Sequence, residues 1–95
     1  MYVRIARFEA PEGSEPPVEE VRKRMREGAG QPDMPVQRGL MLFDRENGRG
    51  ASLMFCETED DLRRVDEYMN AQTVAGGGTR TSVDMYEVVL DSDNL

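Results

Sequence analysis

Histidine and tryptophan are both absent from this chain of 95 residues. Without histidine the protein lacks the commonest acid–base group near neutral pH, the usual haem ligand and a principal zinc ligand. No hydrolytic triad or dyad built on histidine is open to it, and no histidine-ligated metal site. Cysteine occurs once, so no disulfide forms within the chain, and a cytoplasmic location is the expectation. Long apolar runs are missing too, which leaves neither a transmembrane helix nor the apolar stretch of a signal peptide. Positive charge is in deficit: 12 Lys and Arg stand against 19 Asp and Glu, a formal net charge of −7. That balance argues against nucleic acid or an anionic membrane as a partner. A chain this short holds one domain with a small core, so burial gained by association matters.

What is present alternates between strand and helix signals. "MYVRIARFE" reads as a strand, with Val3 and Ile5 on one face and Tyr2, Arg4, Ala6 and Phe8 on the other. "APEGSEPP" is a turn in which Ser14 stands where a helix N-cap is expected. Val18, Val21, Met25 and Ala29 then form one helical stripe, stopped by Gly28 and Gly30 and by the prolines of "QPDMP". A second strand is expected from Val36 to Asp44 and a third from Ala51 to Glu57. The "DRENGRG" loop between them offers Asn47 and Gly48 for positive φ angles. Thr58 is the expected N-cap of a second helix, answered by Asp61, with a stripe at Leu62, Val65, Met69 and Gln72. "AGGGTR" is a linker, because a triple glycine that precedes a strand instead of opening a helix is no phosphate loop. A fourth strand runs from Thr81 to Leu90, and residues 91–95 are a polar tail outside a single domain of residues 1–90.

The order β-α-β-β-α-β predicts an α+β fold of the ferredoxin-like kind: a four-stranded antiparallel sheet with two helices on one face. Within the second strand Leu40, Met41, Leu42 and Phe43 are apolar in succession, so both faces of the sheet need cover. Two helices cover only one. The other face is an apolar patch of about several hundred Å², near or above what monomers usually expose. Covering it is worth on the order of 10 kcal/mol before association costs. A second copy supplies a matching face under two-fold symmetry, so a homodimer through the helix-free face is expected.

Three stretches, "MYVRIARFE", "RGLMLFDRENGRGASLMFCETEDDL" and "GGGTRTSVDMYEVVL", resemble the dimeric α+β barrel superfamily, and within it the antibiotic-biosynthesis-monooxygenase-like domains. With the first helix included, the resemblance spans nearly the whole chain. It implies two ferredoxin-like protomers packed sheet against sheet, often with the last strand or tail reaching over the partner. Haem-degrading members of that group hold iron with a histidine, beside asparagine and tryptophan. A chain without histidine or tryptophan departs from that pattern. The cofactor-free oxygenases of the group use Asn, Trp and Tyr beside an aromatic substrate. Neither Tyr2, Tyr68 and Tyr86 nor Asn47, Asn70 and Asn94 fall in a transferable motif, so no catalytic residue is assigned.

Candidate ligand-binding residues are Arg4, Met41, Phe43, Phe55, Tyr68, Met69 and Met85, with Met54 beside them, because methionines and aromatics adapt to an apolar guest. Ordinary core packing explains the same residues. Arg4, mid-strand, is expected at the interface between copies, paired with Asp84 or Glu87; the alternative is an anion-holding group in a pocket. Cys56 reads as a small buried apolar residue. "ETEDD" suits the positive end of a helix, and "RKRMR" pairs along its own helix with Glu19, Glu20 and Glu27. The resulting expectation is a monooxygenase-like dimeric barrel that binds a small hydrophobic or aromatic molecule without metal, haem or other cofactor. The alternatives are an active cofactor-independent monooxygenase on an aromatic substrate and a purely structural or regulatory homodimer.

Overall fold

The computed structural model describes residues 1–28 and 34–95. Strand β1 (Tyr2–Glu9), helix α1 (Val18–Gly28), strands β2 (Arg38–Asp44) and β3 (Arg49–Cys56), helix α2 (Glu59–Asn70) and strand β4 (Thr79–Glu87) follow in the expected order. Of the first-helix signals, Ala29, Gly30 and the Gln31–Asp33 part of "QPDMP" lie outside the described residues. The strands pair antiparallel in the order β2-β3-β1-β4, so the two strands that precede and follow the central hairpin turn lie on one side and β1 sits in the middle. This is the ferredoxin-like βαββαβ arrangement.

Register decides which side chains share a face. Arg4 bonds to α2, so the β1 residues of its parity face the helices. Its cross-strand partners are Met54 and Met85, and the same face carries Tyr2, Ala6 and Phe8 with Cys56, Ser52 and Gly50 opposite them. Met41 and Phe43 of β2 pair with Ser52 and Gly50 and join that face. The opposite parity, Val3, Ile5, Leu40, Leu42, Leu53, Phe55 and Tyr86, lies on the helix-free side. The run Leu40–Phe43 is thus divided two and two between the faces, as the pleat requires. Leu42 and Tyr86 there are about half exposed, at 49% and 53%.

The two helices are placed very differently. Thr58 caps α2 as expected, its Oγ1 accepting the Asp61 N–H at 3.1 Å, and three acidic residues occupy the first turn. Leu62 and Val65 are fully buried against Cys56, with Tyr2, Met34, Val36, Met54 and Met69 around them. Helix α1 begins later than Ser14 suggests. The Ser14 hydroxyl donates instead to the Pro11 carbonyl, and a residue before proline is pushed out of helical conformation, which bars Glu15 and Pro16. The first helical bond runs from Val21 N–H to Pro17 O at 3.0 Å. None of the residues of α1 is buried. Its contacts with the rest of the described chain are chiefly to the short turn Ala75–Gly77.

The starts of β2, β3 and β4 and the end of β3 fall within two residues of expectation, and the hairpin loop and the end of β4 differ more. In the hairpin loop only Gly48 takes a positive φ, of 65°. Asn47 instead donates from its side chain and its backbone N–H to the Asp44 carboxylate, at 2.7 and 3.2 Å. Those two bonds, then the Glu46 N–H and the Arg49 charge, hold the Asp44 carboxyl below its ordinary pKa. Strand β4 stops at Glu87 and not at Leu90. Glu87 pairs with Tyr2 and Val88 N–H reaches Met1 O at 2.9 Å, after which β1 offers no further partner. Val89 and Leu90 are left 87% and 72% exposed. Among the described residues no helix is long and apolar enough to cross a membrane.

Candidate functional site

Because α2 packs on the sheet and α1 stands off it, a cavity of about 340 Å³ remains between them. Its floor is the helix-facing side of the sheet, with Ala6, Phe8, Met41, Ser52 and Met54. Val21 and Met25 of α1 form the roof, with Met34 beside them and Met69 and Tyr68 of α2 along one wall. Gly39 is what lets Met25 reach down: the Met25 methyl lies 3.3 Å from where a Cβ would stand. A second, more open groove outside α1 is lined by Val18, Leu40, Phe43 and the shared Val21, Met25 and Met41.

The polar groups of the cavity come from strands and helices alike. Arg4 is the only buried charged residue among those described, at 1% exposure. Its Nε donates to Asp66 Oδ1 and one terminal nitrogen to Asn70 Oδ1, both at 2.9 Å. Arg4 therefore does not point into an interface between copies, and Asp84 and Glu87 are not its partners. Asp84 pairs instead with Arg7, at 3.0 Å on the opposite, helix-free face. For Asp84 the reason is parity: Arg4 sits opposite Met85, whereas Asp84 sits opposite Ile5; Glu87, opposite Tyr2, shares the face of Arg4, but Arg4 bonds to α2 instead.

Two more arginines tie the cavity's rim together. Arg24 of α1 bonds to Glu20 at 2.9 Å and to the Thr73 carbonyl at 2.6 Å. Glu20 also accepts the Gly76 N–H at 2.9 Å, so one ion pair fastens α1 to the segment after α2. The remaining cations of "RKRMR" that find acids do so along the helix, Arg22 with Glu19 and Lys23 with Glu27, as expected. Helix α2 has no basic residue in its last turn. Arg80 of β4 serves there, donating to the Met69 and Gln72 carbonyls at 3.2 Å each.

Of the seven candidate residues, Arg4, Met41, Tyr68 and Met69 meet around the cavity. Phe43 lies in the adjoining groove. Phe55 points to the helix-free side, opposite Val3 and Arg38, and Met85, on the β4 edge, is 47% exposed. Neither lines the cavity. Sequence reasoning missed Arg24, Arg80 and Met34, which reach it only through tertiary packing; Phe8 was placed on the right face but not in the site. Cys56 is fully buried as expected, and burial, then the Asp61 charge, pushes its thiol pKa up. Among the described residues no three His, Cys, Asp or Glu converge as metal ligands.

No family model matches the chain, and no curated protein matches it. Among solved structures the chain is similar to a crystal structure of an MhuD point mutant with two manganese protoporphyrin IX molecules bound per active site. The similarity has a TM-score of 0.59 at 19% identity and covers 96% of this chain and 97% of that one. At that identity it shows the fold alone. It is the fold implied by the resemblance to antibiotic-biosynthesis-monooxygenase-like domains.

Proposed function

We propose that this protein binds a small apolar or aromatic molecule in the cavity between the sheet and its helices, as a monooxygenase-like barrel built from two copies. The cavity itself carries the reading. A hole of about 340 Å³ walled by methionine and aromatic side chains, with a few fixed polar groups, is what a small-molecule site looks like, at the lower end of the roughly 300–1,000 Å³ such sites occupy. The similar MhuD structure holds two manganese protoporphyrin IX molecules per active site, which supports reading this fold as one that takes small-molecule guests. A metalloporphyrin does not suit this chain. The cavity is small for a macrocycle, and no histidine is available to ligate its metal.

The second copy covers the helix-free face, where Leu40, Leu42, Leu53, Phe55 and Tyr86 make the apolar patch. The cytoplasm is the compartment that goes with a single, buried thiol.

Methyl-labelled methionine tests the site directly. On titration with naphthol, the Met34, Met41, Met54 and Met69 methyl resonances should move while those of Met1 and Met85 stay. Shifts confined to Met1 and Met85, or none, would refute it. A native mass spectrum should show the dimer, and a monomer mass would remove the second copy from the reading. Oxygen uptake with the bound aromatic separates an oxygenase from a binding protein.

A further inference from the structure

The charges around the cavity are the reverse of those in the rest of the chain. The protein carries a net charge of −7, yet the cavity is lined by Arg4, Arg24 and Arg80, while Arg7 turns its guanidinium to Asp84 on the far face, and Glu27 is the one carboxylate among the described lining residues. Glu27 is also largely in solvent, at 67% exposure, with Lys23 as its partner. Two of the three arginines are already neutralised: Arg4 by Asp66 and Arg24 by Glu20. Arg80 differs. Among the described residues no carboxylate lies within salt-bridge distance of it, and its partners are the two carbonyls at the end of α2.

Those carbonyls hold the guanidinium at the cavity without cancelling its charge. The end of a helix carries only about half a unit of negative charge. Arginine cannot shed its proton, so a half-buried Arg80 remains a cation facing an apolar space. Both bonds also use the same terminal nitrogen, which leaves Nε and the other terminal nitrogen free of partners among the described residues. Arg4 has one terminal nitrogen in the same condition. A guanidinium with open N–H groups matches an anionic oxygen group, a carboxylate best of all. The walls beyond it, Phe8, Val21, Met41 and Met54, suit an uncharged body.

We propose that the guest of this cavity is an apolar acid: a one- or two-ring or short-chain body whose anionic oxygen group, carboxylate or phenolate, is received by Arg80, with Arg4 at its side. This rests on the cavity being a binding site at all, and the two claims fail separately. Calorimetric titration of the full chain with benzoate, naphthoate and octanoate, each beside its primary amide, compares guests of one shape that differ in charge. Each acid that fits should bind about tenfold or more tighter than its amide, as expected for a hydrogen bond to a charged group. Arg80→Gln should bring that ratio close to one.

Equal binding of acid and amide would overturn the acid and leave the cavity reading intact. Failure of every pair to bind would overturn both. A preference that survives Arg80→Gln would refute the assignment to Arg80. Because Arg80 also ties the end of α2, the circular dichroism melt of each variant is read first. If Arg80→Gln does not fold, Arg80→Lys, which keeps the charge and loses the fork, must lower the acid preference several-fold; an unchanged preference would refute the assignment.

Discussion

Replacing Arg4 by methionine tests how the core and the cavity are joined. The guanidinium is 1% exposed and spans β1 to α2 through Asp66 and Asn70, both at 2.9 Å. Removing one partner of a buried ion pair costs about 3–5 kcal/mol when the other charge is stranded. Here the Asp66 side chain keeps 21% of its surface exposed, so part of its hydration returns. Methionine also replaces the apolar stem of the arginine. The expected loss for Arg4→Met is therefore about 2–3 kcal/mol. At about 4–8 °C per kcal/mol for a domain of this size, the melting midpoint should fall by about 10–20 °C. Adding Asp66→Leu removes the stranded charge, so the double variant should recover at least half of the loss. Urea unfolding followed by circular dichroism measures this, at two protein concentrations because association shifts the midpoint. A change below about 0.5 kcal/mol for Arg4→Met, or a double variant equal to the sum of the singles, would refute the reasoning.

Three smaller perturbations check other parts of the structure. Thr58→Ala removes the acceptor for the Asp61 N–H and should cost about 1 kcal/mol in urea unfolding, with Thr58→Ser nearly neutral. Gly50→Ala would place a Cβ 2.5 Å from the Phe8 ring and 2.7 Å from the Leu42 carbonyl. The ring can turn but the backbone oxygen cannot, so a loss of about 2 kcal/mol or more is expected, together with a shifted Phe8 resonance. Asn47→Ala should raise the Asp44 titration midpoint seen by carboxyl NMR, because the Asn47 side chain is the main cause of its low pKa. The sign follows from a carboxyl depressed in the folded state. Asp44 favours folding above the ordinary aspartate range, and that contribution fades as pH falls through its lowered value. An Asp44 midpoint unmoved by Asn47→Ala would contradict the hydrogen-bonding account.

Local signals were legible where chemistry and spacing act within a few residues. Thr58 and Asp61 lie three apart and cap α2; Leu62 and Val65 lie three apart and face the core. Gly48 closes the hairpin because its φ is positive, although Asn47 solves a different problem there, satisfying Asp44. The start of α1 was misplaced because Ser14 has the chemistry of a cap, but the two prolines after it dictate where helical backbone can begin. The end of β4 was misplaced for a non-local reason. Val88, Val89 and Leu90 are good strand residues, and strand needs a partner that β1 does not extend far enough to supply.

The site was half legible for the same physical reason. Period-two alternation placed Arg4, Ala6 and Phe8 on one face and Val3 and Ile5 on the other, and the order of elements placed two helices on one side of an antiparallel sheet. Those follow from the sequence by itself, as do the missing histidine and the apolar run Leu40–Phe43 that needs cover on both faces. Which of β1's two faces meets the helices is not written in the alternation. Only the tertiary structure decides it, by bringing Asp66 and Asn70 over Arg4. The cavity is likewise a property of packing: α1 and α2 both carry apolar stripes, but only α2 settles onto the sheet. Arg24 and Arg80 reach that cavity from positions 56 residues apart in the chain, a proximity that exists only once the backbone has closed around it.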